Sequence, residues 1–98
     1  MNVELAVNYT PINVEGFVQR FVGNVVIALV NSLKNSGTEG NIKLSLSGDN
    51  IDISVDGSEI QMKAFVGDFV RNTVIGMVSS LKGVEQIDSL EINITRQG

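Results

Sequence analysis

Two stretches of this chain have nearly the same sequence, and they lie 48 residues apart. Residues 17–34, FVQRFVGNVVIALVNSLK, match residues 65–82, FVGDFVRNTVIGMVSSLK, at eleven of eighteen positions. The same offset aligns aliphatic residues before and after these stretches without a gap. A repeat of this length means that one structural unit occurs twice. The sequence therefore predicts two repeats, about 1–48 and 49–98, within a single domain that covers residues 1–98.

The composition removes several kinds of chemistry. The 98 residues include no cysteine and no histidine. Disulfides, thiol nucleophiles, zinc sites built from Cys and His, and imidazole general bases are therefore excluded. No spacing of Ser, Lys or Asp resembles a nucleophile with its base, and no acidic turn has the spacing of a calcium loop. We therefore expect no catalytic residues, no metal and no cofactor, and a protein that is not an enzyme.

Four segments alternate strictly between aliphatic and polar residues, which predicts half-buried β-strands. Each offers three aliphatic side chains to one face of the sheet, so we expect the sheet to be covered on one side only. The four segments are 3–7, 42–46, 51–55 and 90–94.

Apolar residues at helical spacing predict two helices, at about 14–35 and 62–83. In each, a broad apolar arc includes a central phenylalanine, Phe21 or Phe69, which we expect to be buried in the core. Many residues of these arcs are β-branched and poor helix formers, so burial against a sheet must stabilise both helices. Gly83 is expected to end the second helix.

Mostly small residues recur at equivalent positions of the two helices. They predict the line along which the helices contact each other, because small side chains let helix axes approach closely. A close approach of each helix to the sheet is the alternative. These residues are Val25, Ala28 and Ser32 in the first helix and Thr73, Gly76 and Ser80 in the second.

The elements follow one another as strand, helix and strand, then a tight turn at 47–50, then strand, helix and strand. This order predicts an α+β fold, a two-layer sandwich of the ferredoxin-like type (βαββαβ) with a four-stranded sheet and both helices on one face. The expected strand order is 4-1-3-2. One alternative stays open: Ile12 and Val14 alternate, and Asp56-Gly57 is a hairpin signal, so a short strand could precede each helix.

Each predicted helix has a polar stripe that an isoleucine interrupts at the same position, Ile27 and Ile75. Two such residues on one surface suggest an apolar patch for a partner. The alternative is a solvated stripe on which the isoleucines have no special role. The predicted interaction surface consists of Asn24, Ile27, Asn31, Asn72, Ile75 and Ser79.

The net charge of −4 and the dispersed basic residues disfavour nucleic acid as a partner. The open sheet face is also predicted to lack the aromatic residues that stack on bases. The N-terminal MNVELAV lacks the basic region of a signal peptide, and the first helix carries Arg20, Asn24 and Asn31. We therefore expect a cytoplasmic protein with no membrane span.

The block VDGSEIQMKAFVGDFVRNTVIGMVSSLKGVE, residues 55–85, resembles the conserved part of small uncharacterised prokaryotic proteins, archaeal ones among them. The predicted topology is also similar to that of ACT-type regulatory domains, which bind small ligands where the first strand meets the first helix. Two functions follow as expectations. The first is a non-enzymatic interaction domain, a homo-oligomer or a binder of another protein. The second is a module that binds a small-molecule ligand through the loops around Tyr9 and Gly57.

Overall fold

The structure, a computed structural model, describes residues 1–34, 40–81 and 83–96. Within these residues, two helices lie against a six-stranded antiparallel sheet, which confirms the α+β class. The elements in chain order are β1 (Asn2–Val7), β2 (Thr10–Ile12), α1 (Gly16–Lys34), β3 (Ile42–Ser47), β4 (Asn50–Val55), β5 (Ser58–Glu59), α2 (Ala64–Ser79) and β6 (Ser89–Thr95).

The sheet differs from the predicted four-stranded, ferredoxin-like sheet in the number and the order of its strands. The order is β2-β1-β6-β3-β4-β5, so β3 and β6 are central, whereas the prediction placed the strands now labelled β1 and β4 there. The short strands explain the difference. Strand β2 pairs with one edge of β1, and β5 pairs with one edge of β4. Strands β1 and β4 therefore each have only one edge left to pair with another long strand. Neither of them can occupy a central position in the sheet.

Two-residue turns form these outer hairpins. Asn8 and Tyr9 have φ angles of 51° and 66°, and Asp56 and Gly57 have φ angles of 49° and 84°. Positive φ at both central residues is the type I′ geometry that suits the twist of a hairpin. The Asp56-Gly57 signal in the sequence therefore does mark a hairpin, and a short strand does precede each helix.

Each half of the chain pairs mainly with the other half. Strand β1 pairs with β6, and β4 pairs with β3. The central strands β3 and β6 pair symmetrically about Leu44 and Ile92. These two residues are equivalent in the 48-residue repeat, so the pairing has an internal twofold character. Apart from the two outer hairpins, neither repeat could form this sheet alone.

The core lies between the sheet and both helices. Each helix contributes three fully or almost fully buried valines spaced four residues apart, which matches one face of an α-helix. The sheet contributes aliphatic residues from its four long strands. The buried valines are Val22, Val26 and Val30 on α1 and Val70, Val74 and Val78 on α2.

The two helices differ in length although their sequences match. Both begin two residues later than predicted, and α1 ends close to the predicted position, at Lys34. Helix α2 ends already at Ser79, where the amide groups of Ser80 and Leu81 donate to carbonyl oxygens three residues back. Such bonds tighten the last turn of a helix. Gly83, the predicted cap, lies beyond the helix with a φ of 89°.

Candidate functional site

Four phenylalanines on the helices are exposed to solvent. The exposed fractions are 67% for Phe17, 49% for Phe21, 69% for Phe65 and 73% for Phe69. The prediction that Phe21 and Phe69 lie in the core is therefore wrong. The apolar arc of each helix is wider than the face that contacts the sheet. The valines already fill that contact, and the aromatic rings are left on the outer side.

We call Phe17, Phe21, Phe65 and Phe69 the phenylalanine surface. Strands β1 and β3 run parallel to each other and antiparallel to β4 and β6, so the helices that connect them are antiparallel. The two phenylalanine pairs consequently lie at opposite ends of the helical layer, because each pair is at the start of its helix. The rings of Phe17 and Phe21 are in contact, with centroids 5.7 Å apart.

An apolar groove of about 400 Å³ runs between the helices at the end where Phe17 lies. Thr73 and Ser80 are the polar residues of its wall. The hydroxyl of Thr73 donates to the carbonyl oxygen of Phe69, and that of Ser80 donates to the carbonyl oxygen of Gly76, so both hydroxyls have partners within α2. The groove therefore offers mainly hydrocarbon surface. Its apolar wall includes Phe17, Phe21 and Val25 of α1 together with Met77 and Leu81.

The early end of α2 explains why the groove opens here. The antiparallel arrangement brings the end of α2 beside the start of α1. Since α2 stops at Ser79, the residues that border Phe17 on that side are Ser80 and Leu81, which follow the helix. Serine hydroxyls that bond to backbone carbonyls compete with the helical bonds, and both Ser79 and Ser80 bond in this way to Gly76.

The sequence-predicted interaction residues fall into two groups. Asn24 is exposed and borders a shallow concavity that also contains Phe17 and Phe21, so it adjoins the phenylalanine surface. Ile27 and Ile75 are half-buried and pack against the rim of the core. The others are Asn31, half-buried with a side-chain oxygen that has no hydrogen-bond partner among the described residues; Asn72, exposed and bonded to Arg71; and Ser79, exposed and bonded to Gly76.

The two helices do contact each other, but five of the six small residues predicted to lie on the line of contact are exposed. Ala28, Ser32, Gly76 and Ser80 are exposed, and a Cβ atom built on Gly76 would meet nothing within 4 Å. Val25, Thr73 and Ser80 instead line the groove.

Helix α1 is long and apolar enough, by length and composition, to be a candidate membrane span, since an 18-residue stretch of it has a mean hydropathy of 1.3 and is only 22% buried within the protein. A helix of a soluble core passes the same test, so the observation is weak evidence for a membrane. What it does show is that α1 carries much more apolar surface than the sheet covers.

Side chains of the two outer hairpin turns make hydrogen bonds within the fold. The Asn8 side chain accepts bonds from the amides of Asp88 and Ser89 and donates to the carbonyl of Gln86. At the equivalent position, the Asp56 carboxylate accepts from the amide of Asn41. Both side chains tie a turn to the start of a central strand. Within the described residues, no group of three or more acidic side chains could hold a metal ion.

No protein-family model, curated protein or solved structure matches this chain. The geometry of the helical layer is therefore the basis for assigning a function. The sequence prediction missed the four phenylalanines, although they stand at two pairs of equivalent positions. The available signal was the width of the apolar arc, which exceeds what one sheet-facing side of a helix can bury.

Proposed function

We propose that this chain is a non-enzymatic interaction domain that associates with a second copy of itself through the phenylalanine surface, in the cytoplasm. The observation that carries the proposal is the exposure of two pairs of equivalent phenylalanines on the helical layer. A single exposed apolar side chain is ordinary, but a contiguous or repeated aromatic surface marks an interaction site.

The exposed area supports a partner of protein size. At about 200 Å² per phenylalanine, the four exposed fractions amount to roughly 500 Å². This sum includes both ends of the helical layer, so it is apolar area available to one interface and not the size of one contiguous patch. A stable interface needs about 800 Å² from each partner. The groove lies on the same face and supplies further contact area.

The charges on the helices also favour a protein partner. Helices α1 and α2 carry only Arg20, Lys34, Asp68 and Arg71, while the chain as a whole has a net charge of −4. Arg71 is already engaged with the turn before β4, where it donates to the carbonyl of Gly48. An interface on this face would therefore bury few charges, and the acidic remainder would stay in water.

Sedimentation equilibrium over a wide concentration range tests the proposal. We expect a reversible dimer for the wild type and a monomer for the double variant Phe17→Ser with Phe65→Ser. Tyr9→Ser is the matched control, because Tyr9 is 90% exposed but belongs to the β1–β2 turn. It should leave the dimer unchanged.

A wild type that stays monomeric at every concentration would contradict the proposal. Pelleting with neutral and anionic lipid vesicles completes the test. If the wild type binds vesicles through the same phenylalanines and does not self-associate, the surface serves a membrane and the proposal is wrong.

The alternative function, a small-molecule module at the hairpin turns, has less support from the geometry. The side chains of Asn8 and Asp56 are used in bonds within the fold. A ligand that used the polar atoms of these two side chains would have to break those bonds.

A further inference from the structure

We propose that the dimer places Phe65 of one copy in the groove beside Phe17 of the other copy, twice, around a twofold axis that crosses the helices. This inference rests on the proposed self-association and adds its geometry. It follows from three observations: the position of the groove, the antiparallel helices and the exposure of Phe65.

The groove and Phe65 lie at opposite ends of the same face. Phe17 and Ser80 border the groove at one end of the helical layer. Phe65 is at the start of α2 and therefore lies at the other end, where it is 69% exposed. Each copy thus presents a groove at one end, where the rings of Phe17 and Phe21 pack on each other, and the exposed ring of Phe65 at the other end.

Two twofold packings can bring such faces together. An axis that runs along the helices places groove over groove and Phe65 over Phe65. An axis that runs across the helices reverses the ends, so that each Phe65 meets the partner's groove. Both are closed arrangements, as a dimer of identical copies requires.

The filling of space favours the second packing. In the first, two apolar grooves of about 400 Å³ each would face each other, and the exposed rings at that end, Phe17 and Phe21, already pack on each other as the wall of their own groove. An unfilled apolar cavity is destabilising in proportion to its volume. In the second packing, an aromatic ring with two flexible χ angles enters each groove. The exposed small residues Ala28 and Gly76 leave room for the two copies to approach on the same face.

The test uses residue types that the chain lacks. The sequence has no tryptophan and no cysteine, so one of each can be introduced as a unique probe. One chain carries Phe65→Trp, which keeps an aromatic ring at that position. A second chain carries Ser80→Cys, labelled with a nitroxide that quenches tryptophan fluorescence at short range. The matched control is Ser32→Cys with the same label, since Ser32 is the residue equivalent to Ser80 but lies at the other end of the layer.

The tryptophan chain is mixed with an excess of each labelled chain, and sedimentation of the mixtures establishes that dimers are present. We expect a loss of most of the tryptophan emission with the label at Ser80 and little loss with the label at Ser32. Strong quenching from Ser32 and not from Ser80 would show the groove-on-groove packing and overturn the inference. A dimer without quenching from either position would overturn it as well, while leaving self-association intact. A mixture without dimers, together with a monomeric wild type, would instead refute the proposed function.

Discussion

Replacing Phe69 by alanine should separate the stability of the fold from the stability of the dimer. Removing a fully buried phenylalanine side chain costs about 3–5 kcal/mol. Since Phe69 is 73% exposed, only about a quarter of that contact exists within one chain, so we expect a loss of about 1 kcal/mol of unfolding free energy. Val74 on the same helix is 0% exposed. The change Val74→Ala removes two buried methyl groups and leaves a cavity, so it should cost about 2–3 kcal/mol despite the smaller deletion.

The two substitutions should affect association in the opposite order, with Phe69→Ala weakening the dimer more than Val74→Ala. A dimer contains two copies of Phe69, and a well-packed aromatic residue within an interface contributes about 2 kcal/mol or more. Losing both therefore weakens the dimer by at least about 4 kcal/mol, roughly a thousandfold in Kd. Val74→Ala should change Kd little, because its side chain faces the sheet.

The assays are urea unfolding and sedimentation equilibrium. Unfolding must be measured at a concentration at which the wild type is monomeric, because dimer formation would add to the apparent stability. A loss above about 3 kcal/mol for Phe69→Ala under these conditions would show that the ring belongs to the core. An unchanged Kd would show that Phe69 lies outside the interface.

Three further predictions use the two repeats as references for each other. Tyr9→Gly should stabilise the monomer by about 0.5–1 kcal/mol in urea melts, because Tyr9 has a φ of 66° and an almost fully exposed ring, and the other repeat has glycine there; a destabilisation would contradict the turn geometry. Gly76→Ala should raise stability by about 0.5–1 kcal/mol, measured in the same way, because the site has open space and the other repeat has alanine; a loss of stability would mean that the site is crowded. Fragments 1–48 and 49–98 should each be largely unfolded by circular dichroism and should gain structure when mixed, because the main strand pairs join the two halves; independent folding of either fragment would contradict this.

Much of the secondary structure was predictable because it depends on neighbouring residues. The alternation in residues 42–46 and 90–94 places three aliphatic side chains on one face, and both segments are indeed strands. The order of the strands was not predictable in this way. An alternating segment shows which face is buried but not which edge is paired. Here the deciding contacts come from β2 and β5, which are two or three residues long and have little periodicity of their own.

The candidate site was predicted on the wrong residues for a related reason. An apolar arc on a helix indicates that its side chains are buried, but it does not indicate whether the protein's own core or a partner buries them. Val22 packs against the sheet, while Phe21, its neighbour in the same arc, faces away from it. A face buried by a partner and a face buried by the protein's own core have a similar composition. Only the structure, which shows that the valines already fill the sheet contact, separates the two.

The positions at which the two repeats differ in sequence help to determine the geometry of the dimer. If both repeats were identical in structure, the two ends of the helical layer would be alike, and the two twofold packings would bring equivalent surfaces together. The divergence at Gly76, where α1 has alanine, lowers the helix propensity of α2 near its end, and the serines that follow bond back to the Gly76 carbonyl. Because α2 ends early, the groove opens beside Phe17, and the ends of the layer become distinguishable. A difference of a few residues between the two repeats can therefore make the helical face favour one of the two twofold packings over the other.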